Sequence, residues 1–365
     1  MNFFSNIPLL FTLLFCGTLI FSILINGLFL NFSQNLGIRK NQDVQIRWSA
    51  SAKPALGGIS FYIVFLISFI FLELLSEGTH GYLSSKKIIG LLFSVTLAFL
   101  MGLADDAFDT KPLIKFMIQC FCGIILISTG TKINTFESEF LNYSVTLLWV
   151  VGLMNSINML DNMDGISTIV SIIICSFTLY INMYLKMATT PVSLITLTVI
   201  GTLFGFLIYN WHPSKIFMGD TGSQFLGIFL AFCGIESCWN VPLIDHSNLP
   251  VLHPLNNVII VALVFVMPLT DTIIVIINRL LNGASPFIGG RDHTTHYLFF
   301  YGISEKKIAL LFLLFNSVGG LLAFYLITQK EYKPEISLLF ALYPILLFSF
   351  LLYITRRKRN NAANN

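Results

Sequence analysis

Long apolar runs separated by short polar loops dominate this chain. Eleven such runs, centred near Phe15, Phe65, Ser94, Cys122, Val150, Ile174, Ile200, Phe229, Val264, Leu314 and Leu346, approach or exceed the length needed to cross a hydrocarbon core of about 30 Å at 1.5 Å per helical residue. They predict an all-α integral membrane protein, a polytopic bundle of about 11 transmembrane helices. The run from Ile7 to about Phe32 has no Lys or Arg before Arg39 and is far longer than a signal-peptide core, so it is expected to remain as the first helix. Residues 8–31 and 255–280 are long enough to tilt, while the runs before Asp105 and Asp161 end in polar residues at the interface. No internal repeat stands out. The chain reads as one polytopic domain over 1–355, followed by a basic, disordered cytoplasmic tail over 356–365.

Composition sharpens that reading. Of 365 residues 55% are hydrophobic and 11% charged, with mean hydropathy +0.80, whereas a soluble domain carries about a quarter charged residues. The net charge of +3 and the scattered basic residues give no stripe for nucleic acid. With the N-terminus outside and the C-terminus in the cytoplasm, fifteen of the 21 Lys and Arg residues fall in cytoplasmic segments, including Arg356, Arg357, Lys358 and Arg359; the opposite orientation reverses the bias. This topology places the loops carrying Asp105, Asp161, Asp220 and His293 on one side of the membrane. The six cysteines lie mainly in apolar runs and read as small buried hydrophobes rather than a disulfide framework. Cys120 and Cys122, one residue apart, point to different helix faces and make a poor metal pair.

Four polar constellations interrupt the runs. Gly102-Leu103-Ala104-Asp105-Asp106-Ala107-Phe108-Asp109 brings three carboxylates within five residues, and their repulsion is relieved by a hard divalent cation or a held proton; a solvated acidic loop is the plainer reading. Asn155-Ser156-Ile157-Asn158-Met159-Leu160-Asp161-Asn162-Met163-Asp164-Gly165 forms, if helix continues, a polar stripe through Asn155, Asn158 and Asp161 or Asn162. That stripe must face protein, water or ligand, and a helix–helix hydrogen-bonding seam is the structural alternative. Trp211-His212-Pro213-Ser214-Lys215-Ile216-Phe217-Met218-Gly219-Asp220-Thr221-Gly222-Ser223 sets a glycine-flanked Asp before a new apolar span, where free N–H groups can face an anion and an Asp is also simply a good cap. Gly289-Gly290-Arg291-Asp292-His293-Thr294-Thr295-His296 pairs two histidines with an Arg, which can bind zinc or hold phosphate oxygens. Lys53, Lys111, Lys115 and Arg291 suit a substrate with several phosphates. Asp271 lies within a span, so function is its default reading, with an intramembrane partner such as Arg279 as the alternative.

In order along the chain, Pro54-Ala55-Leu56-Gly57-Gly58, Asp105-Asp106-Ala107-Phe108-Asp109, residues 155–165, Met218-Gly219-Asp220-Thr221-Gly222-Ser223 and the histidine loop resemble the polyprenyl-phosphate N-acetylhexosamine-1-phosphate transferases, glycosyltransferase family 4, across residues 53–296. That family has ten or eleven membrane helices and starts bacterial cell-wall and surface glycans. The resemblance implies that Asn158 and Asp220 bind Mg²⁺, with Mn²⁺ as a substitute, and that Asp105 and Asp106 serve catalysis. It implies that Lys53, Asp109, Asn155, Asp161, Asn162 and Asp164 bind substrate, the 161–164 stretch holding the nucleotide, and that Lys115, Arg291, His293 and His296 face phosphates. The family's Asp-Gly is Asp161-Asn162 here, and its His-x-His-His is His293-Thr294-Thr295-His296. Lacking a consecutive histidine run, the chain looks closer to the GlcNAc-1-phosphate branch than to the muramyl-pentapeptide branch.

The reaction implied is attack of an undecaprenyl or other polyprenyl phosphate on the β-phosphorus of a UDP-N-acetylhexosamine, releasing UMP at the cytoplasmic face of the inner (plasma) membrane; the resemblance also allows a homodimer. A transporter is the rival from another class, with Asp271 and the polar stripe of residues 155–164 as its path. Transporter acids usually gather near the midplane, whereas these sit at span ends. An intramembrane aspartyl protease would want Gly-x-Gly-Asp, and Phe217-Met218-Gly219-Asp220 lacks the first glycine.

Overall fold

In lipid, a run of apolar residues can satisfy its own backbone only through an intrasegment ladder of hydrogen bonds, and helix is what the runs form. The structure, a computed structural model, describes residues 6–35, 53–75, 81, 85–241, 254–285, 290, 292–329 and 334–363. Its helices are α1 (Ile7–Asn35), α2 (Gly57–Leu75), α3 (Lys86–Phe108), α4 (Pro112–Ser128), α5 (Glu139–Leu160), α6 (Ile166–Tyr184), α7 (Pro191–Asn210), α8 (Gly219–Gly234), α9 (Pro254–Val264), α10 (Val266–Leu280), α11 (Thr294–Phe300), α12 (Glu305–Thr328) and α13 (Pro334–Ala363). There is no strand among the described residues. Each predicted run centre lies in a helix. Eight helices (α1, α2, α3, α5, α6, α7, α12, α13) are long and apolar enough to cross a membrane, or nine spans if α9 and α10 count as one. The 17-residue α4 and 16-residue α8 are shorter, α8 being prolonged by a π-helical turn, Ile235–Trp239. This is a multi-pass helical membrane protein.

The hub is α8, buried from Thr221 onward and packed against α2, α3, α5 and α6. Phe225 and Phe229 meet Phe65 of α2 edge-on, with centroids 5.5 and 6.3 Å apart. On the α3 side the approach is closer still: a Cβ on Gly102 would lie 2.5 Å from the Asp220 carbonyl oxygen and 2.6 Å from the Thr221 Cα. Only a residue without a side chain lets α3 reach the start of α8 there. By contrast α1, against α7, and α13, against α9 and α10, turn residues such as Leu28 and Leu346 outward, the surface expected of helices at a lipid boundary.

Two expectations are corrected. The 255–280 run does not simply tilt: it breaks by 80° between α9 and α10. Pro268 supplies no N–H for the Val264 carbonyl, and Asn316 of α12 compensates, donating to that carbonyl at 3.2 Å while accepting from the Met267 amide at 3.4 Å. The stretch from Arg356, expected as a disordered tail, instead continues α13 as helix to Ala363.

Polar contacts divide the bundle into two poles. At one, Lys87 pairs with Glu236 at 2.9 Å and Asn240 joins Asn134. At the other, the ends of α3 and α5 meet the starts of α4 and α8. Gly102→Leu is expected to cost at least about 1–3 kcal/mol by overpacking the α3–α8 contact. Thermal unfolding in detergent checks this against Gly152→Leu, where nothing lies within 4 Å of an added Cβ and no loss is expected.

Candidate active site

Asp105 and Asp106 are successive residues near the end of α3, so their side chains diverge by about 100° around the helix. Asp105 Oδ1 accepts from the Thr110 amide and hydroxyl at 2.8 and 2.7 Å, while its Oδ2 holds the Lys115 ammonium. Asp106 crosses to α8. Its Oδ1 accepts the Asp220 amide at 3.0 Å, and its Oδ2 accepts the Thr221 amide and hydroxyl at 2.9 and 2.6 Å. The residue preceding α8, Met218, gives it no side-chain cap, so Asp106 satisfies amides that helix geometry leaves open. Gly219, at φ +74°, makes the turn that presents them. Asp109 closes α3 in the left-handed region at φ 52°; its side chain is exposed and joins no partner among the described residues.

Lys115, in the first turn of α4, lies between two acids: besides Asp105 it reaches Asp220 Oδ2 at 3.4 Å. The other oxygen of Asp220 accepts from Asn158 Nδ2 at 2.8 Å, and the same amide donates to Ser223 Oγ at 2.9 Å. Asp105, Lys115, Asn158 and Asp220 thus converge from α3, α4, α5 and α8. Asn155, one turn back, faces the neighbouring helices: it donates to Gln119 Oε1 at 2.7 Å, and Gln119 donates to Gln224 Oε1 at 3.1 Å. This is an interhelical seam, so the stripe expected from residue spacing divides between packing and the acidic cluster.

Helix α5 ends at Leu160, and Asp161 is its C-cap, accepting from Ser167 Oγ at 2.6 Å. Asn162 accepts from the Thr295 hydroxyl at 2.6 Å, tying this turn to α11. Asp164 turns toward the α7–α8 connection, where it accepts the Ser214 amide and hydroxyl at 2.9 and 2.7 Å. Lys53 bonds Ser214 Oγ at 3.1 Å, sits 3.7 Å from Asp164 and 5.0 Å from the centre of the Phe217 ring. The segment behind Lys53 is held by backbone pairing, with the Gly57 and Gly58 amides donating to Phe217 and Met218 carbonyls at 3.1 and 3.0 Å. His212 Nδ1 lies 3.1 Å from both Asp164 and Glu305. Ligand atoms of Asp164, His212 and Glu305 fall within 4.8 Å of one another, close enough to hold a metal ion, although Asp164 is already occupied by Ser214 and lies beside the Lys53 cation.

In the histidine loop, His293 and His296 are buried, with ring centres 5.5 Å apart. His293 Nδ1 lies 3.2 Å from Asp271 of α10. The intramembrane partner proposed for Asp271, Arg279, pairs instead with Asp292, bonding both of its oxygens at 2.7 Å. Burial disfavours the Asp292 carboxylate, but the guanidinium outweighs it and holds the pKa below the ordinary carboxylate value. Arg291 lies outside the described residues.

The spacing argument missed Gln119, Gln224, His212 and Glu305 as parts of this pole. The two glutamines carried a signal, being amides inside apolar runs; Glu305 carried none. Asp106→Ala is expected to destabilise the protein by about 1–3 kcal/mol, because the start of α8 loses the one side-chain acceptor it has among the described residues and the Thr221 hydroxyl its bond. Asp220→Ala should cost less, its carboxylate capping no backbone. Chemical or thermal unfolding of the two variants in the same detergent checks the order.

The arrangement holds hard-oxygen donors beside a lysine, with a further cation, Lys53, nearby, at one end of a helical bundle. A family model described as Glycosyl transferase family 4 matches residues 88–238. The probable undecaprenyl-phosphate N-acetylglucosaminyl 1-phosphate transferase of Bacillus subtilis is 28% identical over 304 residues, 81% of this chain and 78% of that protein. The decaprenyl-phosphate N-acetylglucosaminephosphotransferase of Mycobacterium leprae is 25% identical, over 85% of this chain and 80% of its own length. A phospho-N-acetylmuramoyl-pentapeptide-transferase of Streptococcus agalactiae is 33% identical over 54% of this chain and 64% of its own. The matched stretch takes in Asp105, Lys115, Asn158 and Asp220 together, and over it the chain is similar to glycosyl transferase family 4.

Proposed function

We propose that this chain transfers N-acetylglucosamine-1-phosphate from UDP-GlcNAc to undecaprenyl phosphate or a similar polyprenyl phosphate, releasing UMP. The observation that carries this reading is the convergence of Asp105, Lys115, Asn158 and Asp220, from four helices, at one pole of a membrane bundle. The names of the Bacillus and Mycobacterium relatives, polyprenyl-phosphate N-acetylglucosamine phosphate transferases, point to the same substrates. With eleven spans, the N-terminus outside and the C-terminus inside, this pole faces the cytoplasm across the inner membrane, where nucleotide sugars are made.

Asp220 and the Asn158 carboxamide oxygen would hold Mg²⁺. Both carry hard oxygens, with the Asn158 amide, which here donates to Asp220, turning its oxygen to the ion, and the Lys115 ammonium lying against Asp105 and Asp220 supports a pocket that favours positive charge. When bound, the ion supplies charge neutralisation for the diphosphate. The chain's own residues do the rest. Lys115 offsets the repulsion between two anionic substrates, Asp105 keeps that ammonium in place, and Asp106 fixes the α8 start on which Asp220 rides. The turn bearing Asp161 and Asp164, with Lys53, holds the nucleotide. The attacking phosphate oxygen needs little deprotonation at neutral pH, so positioning dominates, and holding both anions together could supply on the order of 7 kcal/mol of the barrier. Every group in this scheme comes from one chain, so the homodimer is not required. The transporter reading loses its path: Asp271 is engaged by His293 and Thr294, and the polar stripe ends in the acidic cluster.

Purified protein supplied with undecaprenyl phosphate and a panel of UDP-sugars is expected to release UMP with UDP-GlcNAc and to stop when EDTA removes divalent cations. Asp220→Ala and Asn158→Ala should insert, fold and lose turnover by 100-fold or more, on the order of one lost charge-stabilising group. Near-normal turnover of Asp220→Ala would sink the metal assignment.

A further inference from the structure

A carboxylate inside a membrane helix is costly and persists only with specific partners. Asp271 is 1% exposed, within α10, and its hydrogen bonds run to one short segment, His293 and Thr294. Its Oδ1 accepts the Thr294 amide at 2.9 Å and the Thr294 hydroxyl, while its Oδ2 faces His293 Nδ1 at 3.2 Å. Two further ties fix the same segment: Asp292 to Arg279, and Thr295 to Asn162 in the turn after α5. One carboxylate therefore holds both the Thr294 amide and the His293 imidazole, and His293 is 5% exposed with its Nε2 bonded to no described residue.

We propose that Asp271 is a positioning residue for His293: as an obligate acceptor it fixes the proton on Nδ1, and it locks the ring so that Nε2 is the edge offered to the anionic substrates. An ionised carboxylate can only accept, so of the two neutral imidazole tautomers only the one protonated at Nδ1 makes this bond. Thr294 satisfies the other oxygen and keeps the carboxylate from rotating. The Thr295–Asn162 bond places the ring beside the turn that carries Asp161 and Asp164, next to the diphosphate site. The role rests on the transferase reading, but its structural half, the tautomer, does not.

The charged groups facing His293 are Asp271 from α10 and Asp292 from the loop, with His296 beside it on α11. The test therefore measures the tautomer directly, above the range where imidazole is protonated. Full-length protein labelled with ¹⁵N-histidine in detergent has six histidines, and H293Q identifies the resonance to follow. The expected spectrum is the Nδ1–H tautomer for His293. Asp271→Asn, whose side chain can donate as well as accept, should lose that uniform pattern and lower kcat by roughly 10–100-fold with little change in KM. Asp271→Glu keeps the charge and should recover the tautomer with part of the rate. An Nε2–H tautomer in the unsubstituted protein overturns the proposal whatever the variants do, and so does an Asp271→Asn protein that loses activity with the His293 signal unchanged. Should Asp271→Asn fail to fold, the unsubstituted spectrum and Asp271→Glu still decide. Absence of UMP release from any UDP-sugar would sink the transferase reading and leave the tautomer result standing.

Discussion

The first amides of α8 have no partner within their own helix, and a carboxylate from α3 answers them. Much of the site follows from that bond. Because Asp106 is committed to α8, the next carboxylate, Asp105, turns away by one helical step and faces α4, where it holds Lys115. Because the α8 start is fixed against α3, Asp220 stands between Lys115 and Asn158 rather than in solvent. The bare Gly102 surface permits the approach, so a missing side chain and a charged one act on the same contact.

Hydrocarbon offers no hydrogen bonds, and the bundle answers its buried polar groups from within. Gln119, Asn155 and Gln224 join three helices below the acidic cluster. Trp149 donates to the Ala231 carbonyl of α8. Asn316 mends the α9–α10 break with one amide used in both directions. These bonds set the distances between helix ends, and the helix ends carry the chemistry.

Much of this was legible in the sequence. The apolar runs located the helices, and the alternation of their directions gathers Asp105, Asp161, Asp220 and His293 at one pole, as the loop charges implied. What spacing could not decide was partnership. Two adjacent carboxylates look equivalent as letters, yet one caps a helix and the other pairs with a lysine. Asn155 and Asn158 share a stripe, yet they divide between packing and the site. Arg279 was a plausible mate for Asp271 at eight positions' remove, but α10 carries both, and the loop beyond it supplies closer donors to Asp271 and a better acceptor to Arg279. Pro268 hinted at the bend, whereas its remedy in Asn316 lies 52 residues from Val264.

The separation along the chain between bonded partners also orders the assembly of the protein as it leaves the ribosome. Asp106 emerges 114 residues before the amide it caps, whereas Asp271 precedes His293 by only 22. A carboxylate at the centre of a bilayer is penalised by about 2.5–3.5 kcal/mol on insertion scales, so an acid with a long wait is best kept at a span's end, in contact with water and headgroups. Asp271, 1% exposed within α10, is an acid whose partners follow it within about two dozen residues. Burial and delay in biosynthesis are thereby matched, and the growing chain need not hold an unanswered charge for long.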